Sequence, residues 1–194
     1  MKTHGTVIIG IRSHALSLDA TTGAEIWRTK LKSGQFVTVY AREDRVFAGA
    51  SGELFCLDRA SGNLIWHNKL QKLGFGLVSF AADPAKRSPH DVIVGIKGHV
   101  VSIDAATGHE SWRTNLPSRV GSQSVTLALE GSATVLAGTS GELFGVDRTM
   151  GRVLWRAPLA GLGIGLVTLG GSEIAIATAM MQAQAAAAGG AAAS

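Results

Sequence analysis

Four stretches of the chain carry an aspartate, a glycine four residues later and a tryptophan four residues after that. They are "LDATTGAEIW" (Asp19, Gly23, Trp27), "LDRASGNLIW" (Asp58, Gly62, Trp66), "IDAATGHESW" (Asp104, Gly108, Trp112) and "VDRTMGRVLW" (Asp147, Gly151, Trp155). A leucine follows each tryptophan at the fourth position: Leu31, Leu70, Leu116 and Leu159. The tryptophans stand 39, 46 and 43 residues apart, and all 4 tryptophans of the chain lie in the motif. A repeat of that length is one supersecondary unit that buries its apolar face only against the next copy.

The residues before each aspartate alternate as a half-buried strand does. Leu16/Leu18, Phe55/Leu57, Val101/Ile103 and Phe144/Val146 share one face, with a small residue (Ser17, Cys56, Ser102, Gly145) between them. The aspartate ends the strand, where its carboxylate can accept bonds from turn amides. The glycine supplies the positive φ of a tight hairpin. A second strand then carries the tryptophan on one side and Arg28, His67, Arg113 or Arg156 on the other. An indole buries about 150–250 Å², which suits a wedge between sheets, and the basic neighbours suit an outer edge strand. Further short strands are predicted upstream, at residues 6–11, 45–48, 92–96 and 134–138, and before three of those at 36–40, 76–80 and 125–129. Four strands per period make the blade of a β-propeller.

"SLDATTGAEIW" and "SIDAATGHESW" resemble the tryptophan-docking repeat of the PQQ-like, or quinoprotein, β-propeller family. The resemblance extends over residues 5–169 and implies an all-β propeller with four blades in this chain. The family contains quinone-dependent alcohol dehydrogenases and noncatalytic scaffolds. Its catalytic branch binds quinone with calcium, an aspartate base and adjacent bridged cysteines. The chain has a single cysteine, Cys56, and shows no matching calcium or base motif. The resemblance is therefore to the noncatalytic branch, and no cofactor, metal or catalytic residue is expected.

A second level of repetition pairs the repeats. "SGELFCLDR" returns as "SGELFGVDR" and "KLGFGLVSF" as "GLGIGLVTL", so the chain is a two-blade unit written twice. The first blade begins at its second strand, and residues 163–169 supply a strand of the missing kind at the other end. Closure by that strand gives either a four-bladed monomer or an eight-bladed homodimer. The large rings implied by the resemblance favour the dimer. Residues 173–179 read as a surplus strand displaced by residues 6–11. The propeller is thus expected over residues 1–179 and an Ala/Gly-rich tail, frayed or disordered, over 180–194. The uncharged run from Ile174 is poor membrane-inserting material, because alanine contributes little and two glutamines interrupt it.

The formal charge of +4, with Lys and Arg scattered along the chain, points to a solvated basic surface and away from nucleic acid. No secretory h-region is visible near the start, so a cytoplasmic location is expected. Two sets of residues are candidates for binding a protein partner. Lys86 and Arg87 sit in the proline-bearing loop "ADPAKRSPHD" and would suit an acidic partner. His14, Glu53, His99 and Glu142 stand five residues before each motif aspartate, alternating along the chain at hairpin tips. Their plain reading is solvated surface. The function expected is a noncatalytic protein-binding scaffold, with self-association to complete the ring. The alternative is a small molecule, quinone-type or otherwise, at the ring's centre, near the glycine-rich segments 74–80 and 163–169.

Overall fold

A computed structural model describes residues 5–34, 36–81, 90–118 and 124–169, and their regular structure is all β. The chain divides into two compact units, Met1–Val78 and Ser79–Ser194. The division reproduces the two-blade repeat of the sequence.

The first unit contains a three-stranded sheet, β1 (Thr6–Ile11), β2 (His14–Asp19) and β3 (Glu25–Lys30), in that order. Beside it is a four-stranded sheet of β4 (Val37–Arg42), β5 (Arg45–Ala50), β6 (Glu53–Asp58) and β7 (Leu64–Asn68). The second unit has two four-stranded sheets. One holds β8 (Ser79–Phe80), β9 (Asp91–Ile96), β10 (His99–Asp104) and β11 (Glu110–Asn115). The other holds β12 (Thr126–Glu130), β13 (Thr134–Thr139), β14 (Glu142–Asp147) and β15 (Val153–Ala157). Every sheet is an antiparallel meander, which is the blade predicted from the repeat.

Two-residue hairpins join the middle strands of each blade, and both loop residues have positive φ. The pairs are Arg12–Ser13, Ser51–Gly52, Lys97–Gly98 and Ser140–Gly141. Mirror-image turns of this type match the right-handed twist of the flanking strands. The core of each unit lies between its sheets. In the first, Ala15, Leu31, Val46, Ala48 and Leu57 pack with Trp27. In the second, Val100, Leu116, Leu127, Val135 and Phe144 pack around Trp112.

Two expectations are corrected here. Of residues 76–80 only Ser79–Phe80 is a strand. Residues 163–169 form no strand, because a β-ladder needs a neighbour and the described residues offer none on that side. They are held instead by single bonds to the fourth blade: Gly141 N–H donates to Gly165 carbonyl at 2.7 Å, and Thr126 Oγ1 donates to Val167 carbonyl. The surplus strand at 173–179 and the tail at 180–194 lie outside the described residues.

Candidate functional site

The motif's polar groups are used at the turns. Asp19 Oδ1 accepts from Thr21 N–H, Thr22 N–H and the Thr22 hydroxyl at 2.9, 2.8 and 3.0 Å. Asp58 does the same with Ala60 and Ser61, and Asp104 with Ala106 and Thr107. The fourth turn has Met150 at the hydroxyl position, so Asp147 accepts only the amides of Thr149 and Met150. The Ser61 hydroxyl, then its amide, holds the Asp58 carboxyl below its ordinary value, and Thr107 acts alike on Asp104. A depressed carboxylate stabilises the fold above its unfolded pKa of about 3.9, and that contribution is lost as pH falls through the folded value. Thermal melting should therefore weaken below about pH 4. A Ser61→Ala chain should show Asp58 titrating nearer the ordinary value in a carboxyl NMR titration.

Each tryptophan stands opposite the small residue between the two apolar positions of its neighbour strand. The pairs are Ser17 with Trp27, Cys56 with Trp66, Ser102 with Trp112 and Gly145 with Trp155. A register shift just after each small residue leaves one extra residue in the outer strand and turns the indole across the blade. A Cβ at Gly145 would stand 2.2 Å from Trp155 Cε2, which explains the small side chains. Cys56 is buried, and burial pushes its thiol up to about 11. That is the opposite of an activated nucleophile.

Trp27 and Trp112 each reach the next blade of their own unit. Trp27 Nε1–H donates to Arg59 carbonyl, and Trp112 Nε1–H to Arg148 carbonyl, each at 2.9 Å. The indole lies on the turn glycine: a Cβ on Gly62 would meet Trp27 Cδ2 at 2.6 Å, and one on Gly151 would meet Trp112 Cε3 at 2.5 Å. Two residues after the tryptophan, the Thr29 and Thr114 hydroxyls donate to the carbonyls of the same glycines. Each seam thus fixes one blade to the next by an apolar face and two directional bonds. In the second unit Arg148 adds a paired bond to Asp91, at 2.8 and 3.1 Å.

His14, Glu53, His99 and Glu142 are the first residues of β2, β6, β10 and β14, at the hairpin tips. His14 Nδ1 is 2.8 Å from Arg12 carbonyl, and His99 Nδ1 is 2.9 Å from Lys97 carbonyl, so each imidazole donates within its own turn. The acids are less solvated than their plain reading. Glu53 Oε1 accepts from Lys32 Nζ at 2.5 Å, and its Oε2 lies 2.9 Å from His67 Nε2. Glu142 is 2% exposed and accepts from Arg156 at 2.6 Å. In both blades an aromatic ring carries the basic partner: Phe55 stacks on His67 with centroids 4.3 Å apart, and Arg156 lies 5.8 Å over Phe144. Bringing these groups together shields the carboxylates and draws Glu53 below its ordinary value, through Lys32 and His67 against the opposing push of burial.

The outer-strand bases follow two patterns the sequence reading missed. Arg28 and Arg113 bond back to Glu25 and Glu110, each at 2.5 Å. His67 and Arg156 reach across to the next strand's Glu53 and Glu142. The signal was the residue two before each tryptophan: Glu in repeats one and three, Leu64 and Val153 in repeats two and four. Lys86 and Arg87 lie outside the described residues. Among the described residues no group of three or more His, Cys, Asp or Glu side chains is arranged to hold a metal ion.

A family model described as outer membrane protein assembly factor BamB matches residues 12–165. Outer membrane protein assembly factor BamB of Burkholderia pseudomallei is 27% identical over 160 residues, 79% of this chain and 39% of that protein. Serine/threonine-protein kinase AfsK of Streptomyces griseus is 27% identical over 131 residues, 64% of this chain and 16% of the kinase. The crystal structure of BamB from Moraxella catarrhalis superposes with a TM-score of 0.65 at 26% identity, covering 80% of this chain and 50% of that one. This chain thus spans half or less of the length of each of these proteins. On a match that runs through all four repeats, the chain belongs to the PQQ-like β-propeller family described by outer membrane protein assembly factor BamB.

Proposed function

We propose that the chain is a noncatalytic propeller scaffold that binds a protein partner, and that its working form is a ring completed by a second copy. The observation that carries the scaffold reading is how the repeat's reactive groups are employed. The aspartates cap turns, the indole N–H groups of Trp27 and Trp112 fasten one blade to the next, and Cys56 is buried as a thiol. What repeats is the framework, and what varies between repeats is the loops, as binding platforms require. The similarity to two BamB proteins supports the same reading. An acidic partner is the one that the chain's formal charge of +4 and the Lys86–Arg87 pair would favour.

Two measurements test it together. With pyrroloquinoline quinone and calcium added, the scaffold reading expects an unaltered quinone spectrum and no alcohol-dependent dye reduction. Stoichiometric quinone binding would overturn it. A Lys86→Ser, Arg87→Ser chain should lose most of its cross-linking to an acidic partner while keeping its melting temperature. Loss on changing Glu53 instead would place the partner on the hairpin tip between β5 and β6.

A further inference from the structure

The two ends of the repeat array carry matching halves of a seam. At the fourth blade Trp155 is 43% exposed, whereas Trp27, docked on the next blade, is 8% exposed. At the first blade Gly23 has the same turn conformation as Gly62 and Gly151, with φ of 72°, 73° and 72°. Yet among the described residues, chain neighbours aside, no heavy atom lies within 4 Å of the Gly23 Cβ position, where Gly62 and Gly151 each hold an indole. One end offers an indole and the other an empty turn shaped to receive it.

The inner strands show the same complementarity. In three blades a valine–hydroxyl pair opens the inner strand: Val37–Thr38, Val78–Ser79 and Val125–Thr126. Thr38, Ser79 and Thr126 pair with Gly49, Gly95 and Gly138 of their own blade. Each hydroxyl also donates to the valine carbonyl that follows, Val78, Val125 and Val167 respectively. Gly10 is the first blade's equivalent glycine, and the three nearest atoms to its Cβ position all belong to Val37, none to a hydroxyl. Beside it the apolar face is open: Ile11 is 54% exposed and Val7 46%, while Ala50, Ile96, Val46 and Val135, at the same positions in other blades, are 0–1% exposed. The next valine–hydroxyl pair of this inner-strand kind is Val167–Thr168, and Thr168 is exposed.

We infer that a second copy of this chain docks head to tail on the first blade. Its Trp155 lies on Gly23 and donates to Ala20 carbonyl, and its Val167–Thr168 segment adds a strand beside β1. The predicted register sets Thr168 opposite Gly10, with its hydroxyl donating to Val37 carbonyl. Only the threonine-to-glycine bond of the other seams is missing, because Ala157 stands where Thr29 and Thr114 do. The inference rests on the two-copy reading above.

The test is light scattering on the full 194-residue chain at tens of micromolar, for wild type, Trp155→Ala and Gly23→Val. Twice the chain mass is expected for wild type, and the chain mass for both variants with melting transitions retained. A photoreactive benzoylphenylalanine in place of Trp155, in a mixture of heavy- and light-isotope chains, should join the peptide carrying residues 19–23 across isotopes. This second measurement decides the matter if either variant fails to fold. A wild-type monomer would overturn both the two-copy reading and the docking. A dimer that survives Trp155→Ala, with cross-links elsewhere, would leave two copies standing and overturn this interface.

Discussion

Replacing Trp27 by alanine should lower the free energy of unfolding by about 3–5 kcal/mol, the range for removing a buried large aromatic side chain. The indole is 8% exposed, packs against Val37, Phe55 and Leu57 in one core, and donates to Arg59 carbonyl across the seam. Alanine removes the wedge and leaves that carbonyl without its donor. Trp27→Phe keeps most of the apolar area but not the N–H, so it should cost less, with about 1 kcal/mol of its loss from the missing bond. Trp112→Ala should behave like Trp27→Ala, because its seam has the same bond to Arg148. Urea unfolding followed by far-ultraviolet circular dichroism at submicromolar concentration is the measurement. A loss below about 1 kcal/mol for Trp27→Ala would show that the blades are held by something other than the indole.

The blade was legible because its determinants are local. Asp19 caps residues two and three ahead, Gly23 turns the chain four ahead, and the strands alternate with period two. All of that lies within ten residues and recurs four times. The small residue at Ser17, Cys56, Ser102 and Gly145 was visible as a pattern. Its cause was not, because the register shift that sets the indole opposite it belongs to a pair of strands. Likewise Gly62 reads as a turn glycine from its spacing. That it is also the floor under Trp27 is a contact between residues 35 positions apart in the chain.

The hairpin-tip residues show the same limit from the other side. Glu53 and Glu142 read as solvated acids because each begins a strand beside a turn. Their burial comes from Lys32, His67 and Arg156, which reach them from the neighbouring strand or from a segment 21 residues away. Residues 163–169 carried the pattern of an inner strand in full. A strand is defined by its partner, and no one-dimensional pattern reports whether the partner is present.

The doubled role of the turn glycine gives the most demanding expectation. Gly62→Ala should destabilise the chain by about 2–5 kcal/mol, and Gly23→Ala in the dissociated chain by only about 1–2 kcal/mol. Both glycines have positive φ, 73° and 72°, so both substitutions incur the cost of a left-handed L-residue. Only at Gly62 does the new Cβ also meet a rigid ring, 2.6 Å from Trp27 Cδ2 and Cε3, with Thr29 Oγ1 at 2.8 Å. The ring cannot yield as a flexible chain would, so the blades must separate or the indole must leave its bond to Arg59. The two contributions can be pulled apart with a double-mutant cycle. On a Trp27→Ala background the Gly62→Ala penalty should shrink towards that of Gly23→Ala, because the ring it meets is gone and only the Thr29 hydroxyl contact remains. If the Gly62→Ala cost is the same with and without Trp27, the glycine serves the turn alone and the seam does not depend on it.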